Sequence, residues 1–183
     1  MKSRKLNRKS NRLRDYDYST SGYYYVTICT KDREEFFGAI SNEYMILNKY
    51  GGIAKNKLKE IPKHYENIDI DLFIIMPNHI HGIIVINDNN YANVGTEQCS
   101  VPTKENRISS RKNYGLLSKT VKSFKDAVTK DIKLLSGKDV KLWQRSFYDH
   151  IIRSEESLDE IRRYINENPL KWALDENNPD NLK

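Results

Sequence analysis

The chain has 183 residues, 38% hydrophobic and 31% charged, and its 31 Lys and Arg against 25 Asp and Glu give a formal net charge of +6; mean hydropathy is −0.77. That length buries a core in one domain without staples, and no apolar run is long enough to cross a bilayer. Cys29 in an apolar stretch and Cys99 in a polar one offer neither a disulfide framework nor zinc-ligand spacing, while the positive charge favours an acidic partner, of which nucleic acid is the commonest.

In chain order, residues 1–20 read as a flexible basic arm. Lys5, Arg8, Arg12 and Arg14 lie in a stretch without an acidic residue before Asp15, suited to phosphate contact through counterion release. No apolar segment follows Met1-Lys2-Ser3-Arg4-Lys5, so no secretory leader is expected and the location expected is cytoplasmic. After Ser21-Gly22, the aromatic and β-branched run Tyr23 to Thr30 predicts a first strand. Ile53, Leu58 and Ile61 at helical spacing predict a helix from Asn48 to Tyr65, weakened by Gly51-Gly52 and ended near Pro62.

Ile68 to Ile75 alternates and then becomes wholly apolar, which predicts a second strand. Pro77-Asn78 marks a turn into His79-Ile80-His81-Gly82-Ile83-Ile84-Val85-Ile86, so the two strands are expected as an antiparallel hairpin. Side chains alternate along a strand, which puts His79 and His81 on one face and makes half a metal site on rigid scaffold. Two satisfied core histidines would read the same way.

Residues 88–113 hold hardly any large apolar residue and are expected as a mobile loop, basic in its later half at Lys104, Arg107, Arg111 and Lys112. Leu117, Val121, Phe124 and Val128 then predict an amphipathic helix, whose polar face, Lys122 included, could line a nucleic-acid groove. Lys141 to Arg153 reads as the last strand. Ser154 offers an N-cap to a helix with Leu158, Ile161 and Ile165 as its buried stripe and Asn168-Pro169 at its end. A single domain over residues 21–175 and a frayed tail over 176–183 complete the expected organisation. The element order predicts an α+β fold, a ferredoxin-like or RRM-like antiparallel sheet with helices packed on one face.

Three stretches then point to one family. Pro77-Asn78-His79-Ile80-His81, Trp143 to Arg153 (WQRSFYDHIIR) and Arg163-Tyr164-Ile165-Asn166-Glu167-Asn168-Pro169 occur in this order, and together they resemble the IS200-like tyrosine transposases, especially the REP-associated branch. The resemblance spans roughly residues 20 to 175 and implies an HUH endonuclease. Such an enzyme cleaves and rejoins single-stranded or hairpin DNA through a 5′-phosphotyrosine, with His79 and His81 holding Mg²⁺ or Mn²⁺. It further implies Tyr164 as nucleophile, with Asn168 four residues on completing the metal site where Gln is commoner. Tyr148 and His150, sharing one face of the last strand, stand as the alternative nucleophile and third ligand. A homodimer with a shared site and a monomer both fit the resemblance, as does a domesticated DNA-binding protein without turnover. An RRM-like RNA binder is the competing reading from another class.

Overall fold

The computed structural model describes Leu13, residues 16–88 and residues 115–182. The basic arm positions Lys5, Arg8, Arg12 and Arg14, the loop positions Lys104, Arg107, Arg111 and Lys112, and Cys99 lie outside the described residues. Strand β1 (Gly22–Cys29) is followed by β2 (Gly38–Ser41), β3 (Tyr44–Leu47), helix α1 (Lys49–His64), β4 (Ile68–Ile75), β5 (His79–Ile86), α2 (Leu116–Ser136), β6 (Tyr148–Ile152) and α3 (Glu155–Glu167). The main sheet has the order β4-β5-β1-β6, with every neighbouring pair antiparallel. This is the expected α+β, ferredoxin-like arrangement, except that helices cover both faces of the sheet and not one, α3 lying opposite α1 and α2.

The sheet is apolar on both faces because both are covered. Tyr24, Val26, Ile28, Ile80, Ile84 and Ile86 pack with Leu58 and Ile61 of α1 and Leu117, Val121 and Phe124 of α2. The alternate residues of β5 point the other way, so Ile83 joins Ile152, Leu158 and Ile165 in a smaller cluster under α3. Helix α3 therefore lies on the face that carries His79 and His81. The wholly apolar second half of β4 has the same origin. A bulge between Ile70 and Leu72 leaves Asp71 unpaired in the ladder and turns Leu72 and Ile74 toward α3 while Phe73 stays with the larger core.

Local chemistry explains where the elements begin and end. The Asn48 side chain caps α1, accepting from the amides of Tyr50 at 2.9 Å and Gly51 at 3.0 Å. Gly51, which weakens the helix in isolation, is needed by packing: a Cβ there would stand 2.3 Å from the Phe37 carbonyl oxygen. Helix α1 continues past Pro62 to His64. Gly137 closes α2 in the left-handed region, at φ 67°, donating to the Lys133 carbonyl.

Three features differ from the sequence expectation. The β2–β3 hairpin turns through Asn42 and Glu43, both at positive φ; a turn of that kind usually announces itself with glycine, and Glu43 conceals it. The last strand is only Tyr148–Ile152. Upstream, the segment meets β1 through the single bridge Thr30–Trp143, and the carbonyls of Gln144 and Ser146 accept from the Lys125 ammonium at 2.8 and 3.2 Å, not from a neighbouring strand. Finally, residues 176–182, expected as part of a frayed tail, are folded against the domain. Trp172–Leu174 and Pro179–Leu182 form short 3-10 turns, and Asp175, Asn177 and Asn178 are buried. No helix among the described residues is long and apolar enough to cross a membrane.

Candidate metal centre and tyrosine cluster

The turn before β5 sets the site. Both side-chain N–H groups of Asn78 are used, one on the Arg33 carbonyl at 3.0 Å and one on the Asn177 carbonyl at 2.7 Å. Its Oδ1 is thereby fixed as the atom facing His79 Nδ1 at 2.9 Å. An amide oxygen only accepts, so Nδ1 of His79 carries the hydrogen and Nε2 presents a lone pair.

That lone pair points at His81, whose Nε2 lies 2.9 Å away. Nδ1 of His81 is 2.7 Å from the Tyr25 hydroxyl and 3.0 Å from Thr27 Oγ1. Hydroxyls donate or accept, so these partners satisfy His81 in either tautomer. With Nδ1 protonated, both Nε2 lone pairs face one another, an arrangement that a cation between them stabilises.

A carboxylate from the chain end completes the group. Asp175 Oδ2 lies 3.9 Å from His79 Nε2, and one ligand atom from each of His79, His81 and Asp175 falls within 4.8 Å of the others, with all three residues buried. Two imidazoles and a carboxylate form a donor set suited to a divalent ion. Burial, helped by the nearby Arg33 guanidinium, pushes His79 down to about 3; burial and the neighbouring His79 lower His81 as well, against Asp175. Both rings are therefore neutral near pH 7, the form that ligates a metal.

Tyr164 on α3 reaches this group. Its ring centroid is 5.3 Å from His81 and 6.3 Å from Tyr25, and the residue is 42% exposed. Burial and the Asp175 carboxylate raise its phenol, while Asn168 and Tyr25 draw it down. Asn168 stays helical at the C-cap of α3 despite Pro169, and its Oδ1 is buried without a hydrogen-bond partner among the described residues. An orphaned buried acceptor beside Tyr164 is a further observation that fits a cation.

The remaining expected residues are placed as follows. Tyr148 is exposed on β6, its ring 6.3 Å from Tyr25. His150, also exposed, is paired in register with Tyr25 and is not in the metal-ligand group found among the described residues. Lys122 lies on the exposed face of α2 in an ion pair with Asp126. Sequence reading missed Asp175, since an Asp in an Asn/Glu/Pro-rich tail carries no spacing signal, and it missed Tyr25, whose role depends on the register that sets β1 beside β5.

No protein-family model matches the chain. It is 36% identical over 171 residues to a protein of Haemophilus influenzae (strain Rd) described as "Uncharacterized protein", covering 92% of each chain. It is 26% identical over 157 residues to the "Putative REP-associated tyrosine transposase" of the same organism, covering 85% of this chain and 74% of that one. Among solved structures, a REP-associated tyrosine transposase bound to a REP hairpin superposes with a TM-score of 0.50 at 17% identity, over 87% of this chain and 73% of that one.

Proposed function

We propose that the chain is an IS200-like tyrosine transposase of the REP-associated branch, a reading supported by its 26% identity to a putative REP-associated tyrosine transposase, and that it cleaves and rejoins hairpin-forming single-stranded DNA through a phosphotyrosine at Tyr164. The coarser activity is that of an HUH-type transposase enzyme with the metal-binding group His79, His81 and Asp175. The observation that carries the finer reading is the approach of an exposed tyrosine to that group, Tyr164 lying 5.3 Å from His81. The relative bound to a REP hairpin supports the substrate class.

His79, His81 and Asp175 would hold the ion, Mg²⁺ or Mn²⁺, with the Asn168 amide oxygen at hand. When bound, such an ion polarises a phosphodiester and offsets charge developing on its oxygens. The chain's own residues do the rest. Tyr164 Oη attacks phosphorus, forming the O–P bond to the 5′ side as the P–O3′ bond breaks. The phenolic proton passes to solvent, and the departing oxygen takes one up to become a 3′-hydroxyl. Tyr25 and Asn168 act to lower the Tyr164 phenol, against burial and the Asp175 charge, and so favour the developing phenolate. Rejoining is the reverse attack by a 3′-hydroxyl, so no nucleotide cofactor is consumed.

The test is a 3′-labelled hairpin oligonucleotide with single-stranded flanks, incubated with protein and Mn²⁺ or Mg²⁺. A covalent adduct that survives denaturing electrophoresis is expected, and Tyr164→Phe should abolish it while leaving binding intact. Loss of the adduct in Tyr148→Phe alone would move the nucleophile to β6. Tight binding with no adduct on any oligonucleotide would leave a DNA-binding protein without turnover.

A further inference from the structure

Next to the metal group lies a second, charged feature that the chemistry above does not use. A groove of about 880 Å³ runs between the Lys31–Arg33 turn, the 140–146 segment and Thr129 of α2. Four cations line it, Lys31, Arg33, Lys141 and Arg145, against one anion, Asp32, which is paired with Lys31 at 3.1 Å. Lys141 and Arg145 are exposed and form no ion pair among the described residues.

The groove is built as rigidly as the site. Its wall is stitched to the end of β1: the Lys31 amide donates to the Leu142 carbonyl at 2.8 Å, and the Gln144 amide donates to the Cys29 carbonyl at 3.0 Å. Lys125 ties down the carbonyls of Gln144 and Ser146 from below. Asp32 and Arg33 both hold positive φ, a costly backbone for residues other than glycine. Arg33 in turn touches the chain end through the Glu176 carbonyl and accepts from Asn78, the residue that orients His79.

The register gives the separation. Cys29 pairs with His79 on one side and is bonded to Gln144 on the other, so the groove wall stands two strand spacings, about 10 Å, from His79. His79 and His81 are nearly inaccessible, at 0% and 2% exposure. A phosphate must be carried down to them, which a flexible single strand permits and a stiff duplex does not.

We propose that the groove lined by Lys31, Arg33, Lys141 and Arg145 seats the phosphodiester backbone of the single-stranded DNA that runs into the His79–His81 site. The assignment rests on the transposase reading but is read out by binding, not by turnover. Salt dependence of affinity counts the phosphates a protein neutralises.

The experiment is fluorescence anisotropy of labelled dT12 without metal, over a series of salt concentrations, for the full chain and for Lys141→Ala, Arg145→Ala and the double variant. The double variant should weaken binding tenfold or more and flatten the plot of log K against log salt by about 1.4, roughly 0.7 per lost contact. Mn²⁺ affinity and the melting temperature should match the parent, since both side chains are exposed. Unchanged affinity and slope would overturn the proposal, as would equal losses on a blunt duplex or tighter binding of rU12 than dT12. Absence of a covalent adduct in the parent protein would defeat the transposase reading alone, because the salt slope is measured without chemistry.

Discussion

The Tyr25 hydroxyl sits 2.7 Å from Nδ1 of His81, and the Tyr25 ring meets that of Tyr164 edge-on at 6.3 Å, so a single side chain joins the ring that would ligate the ion to the tyrosine that would attack. Partners behind metal ligands typically matter by about 10–100-fold in affinity or activity. Tyr25→Phe should therefore slow adduct formation on that scale, in single-turnover assays at saturating Mn²⁺, while leaving dT12 affinity unchanged. Parent-like rates would mean that Thr27 orients His81 unaided.

Asp175 supplies the only carboxylate of the His79–His81–Asp175 group. Asp175→Ala should weaken Mn²⁺ binding by at least tenfold, or ~1.4 kcal/mol, by calorimetric titration. It should also lower the Tyr164 phenol, since the Asp175 charge raises it. A titration indistinguishable from the parent would transfer the third position to Asn168.

Helix α3 is clamped to β4 by a fork: Arg162 donates to the two carboxylate oxygens of Asp71 at 2.9 and 2.7 Å, the very residue the bulge leaves unpaired in the ladder. Planar two-point contacts of this type fix orientation as well as distance. Arg162→Ala should cut the adduct rate several-fold with helix content unchanged by circular dichroism. The swap Arg162→Asp with Asp71→Arg should recover part of it.

Ile165 is fully buried on the same helix, one residue from Tyr164. Ile165→Ala removes methyl groups from a small cluster that cannot readily collapse, at a cost of about 2–4 kcal/mol. Urea denaturation should show the loss.

Burial lowers Lys125 from its ordinary value of 10.5 to about 8. Below pH 8 both the folded and the unfolded chain hold this proton, and the penalty for burying the charge is fully present. Between pH 8 and 10.5 the unfolded chain holds more of it, so this residue's contribution to stability rises with pH. The neutral amine keeps two N–H groups for the Gln144 and Ser146 carbonyls. Since the side chain is only partly buried, screening reduces the effect to roughly 1 kcal/mol. Denaturation of the parent and Lys125→Met at pH 7 and 9.5 should show the parent gaining relative to the variant.

Much of the fold is legible in the chain because its signals are local. Tyr23 to Thr30 has strand composition, Leu117 to Val128 has helical spacing, and Ser154 with Glu155 and Glu156 marks a helix start that the Ser154 cap realises. The β2–β3 hairpin is not legible, because Asn42-Glu43 lacks the glycine that usually marks such a turn. Nor is the shortening of the last strand, which depends on Lys125, a residue of another element, taking the carbonyls of Gln144 and Ser146.

By itself the sequence determined that His79 and His81 share a face, since alternation in a strand needs no partner, and it put Tyr164 and Asn168 one turn apart. Only the tertiary structure decided which groups meet them. Asp175 reaches His79 from the far end of the chain because the Asn177 carbonyl is held by Asn78, and Tyr25 reaches His81 because β1 pairs with β5 in the register Thr27 to His81. Those contacts depend on chain closure and strand register, which are set by packing of the whole sheet against α1, α2 and α3 and leave no trace in local spacing.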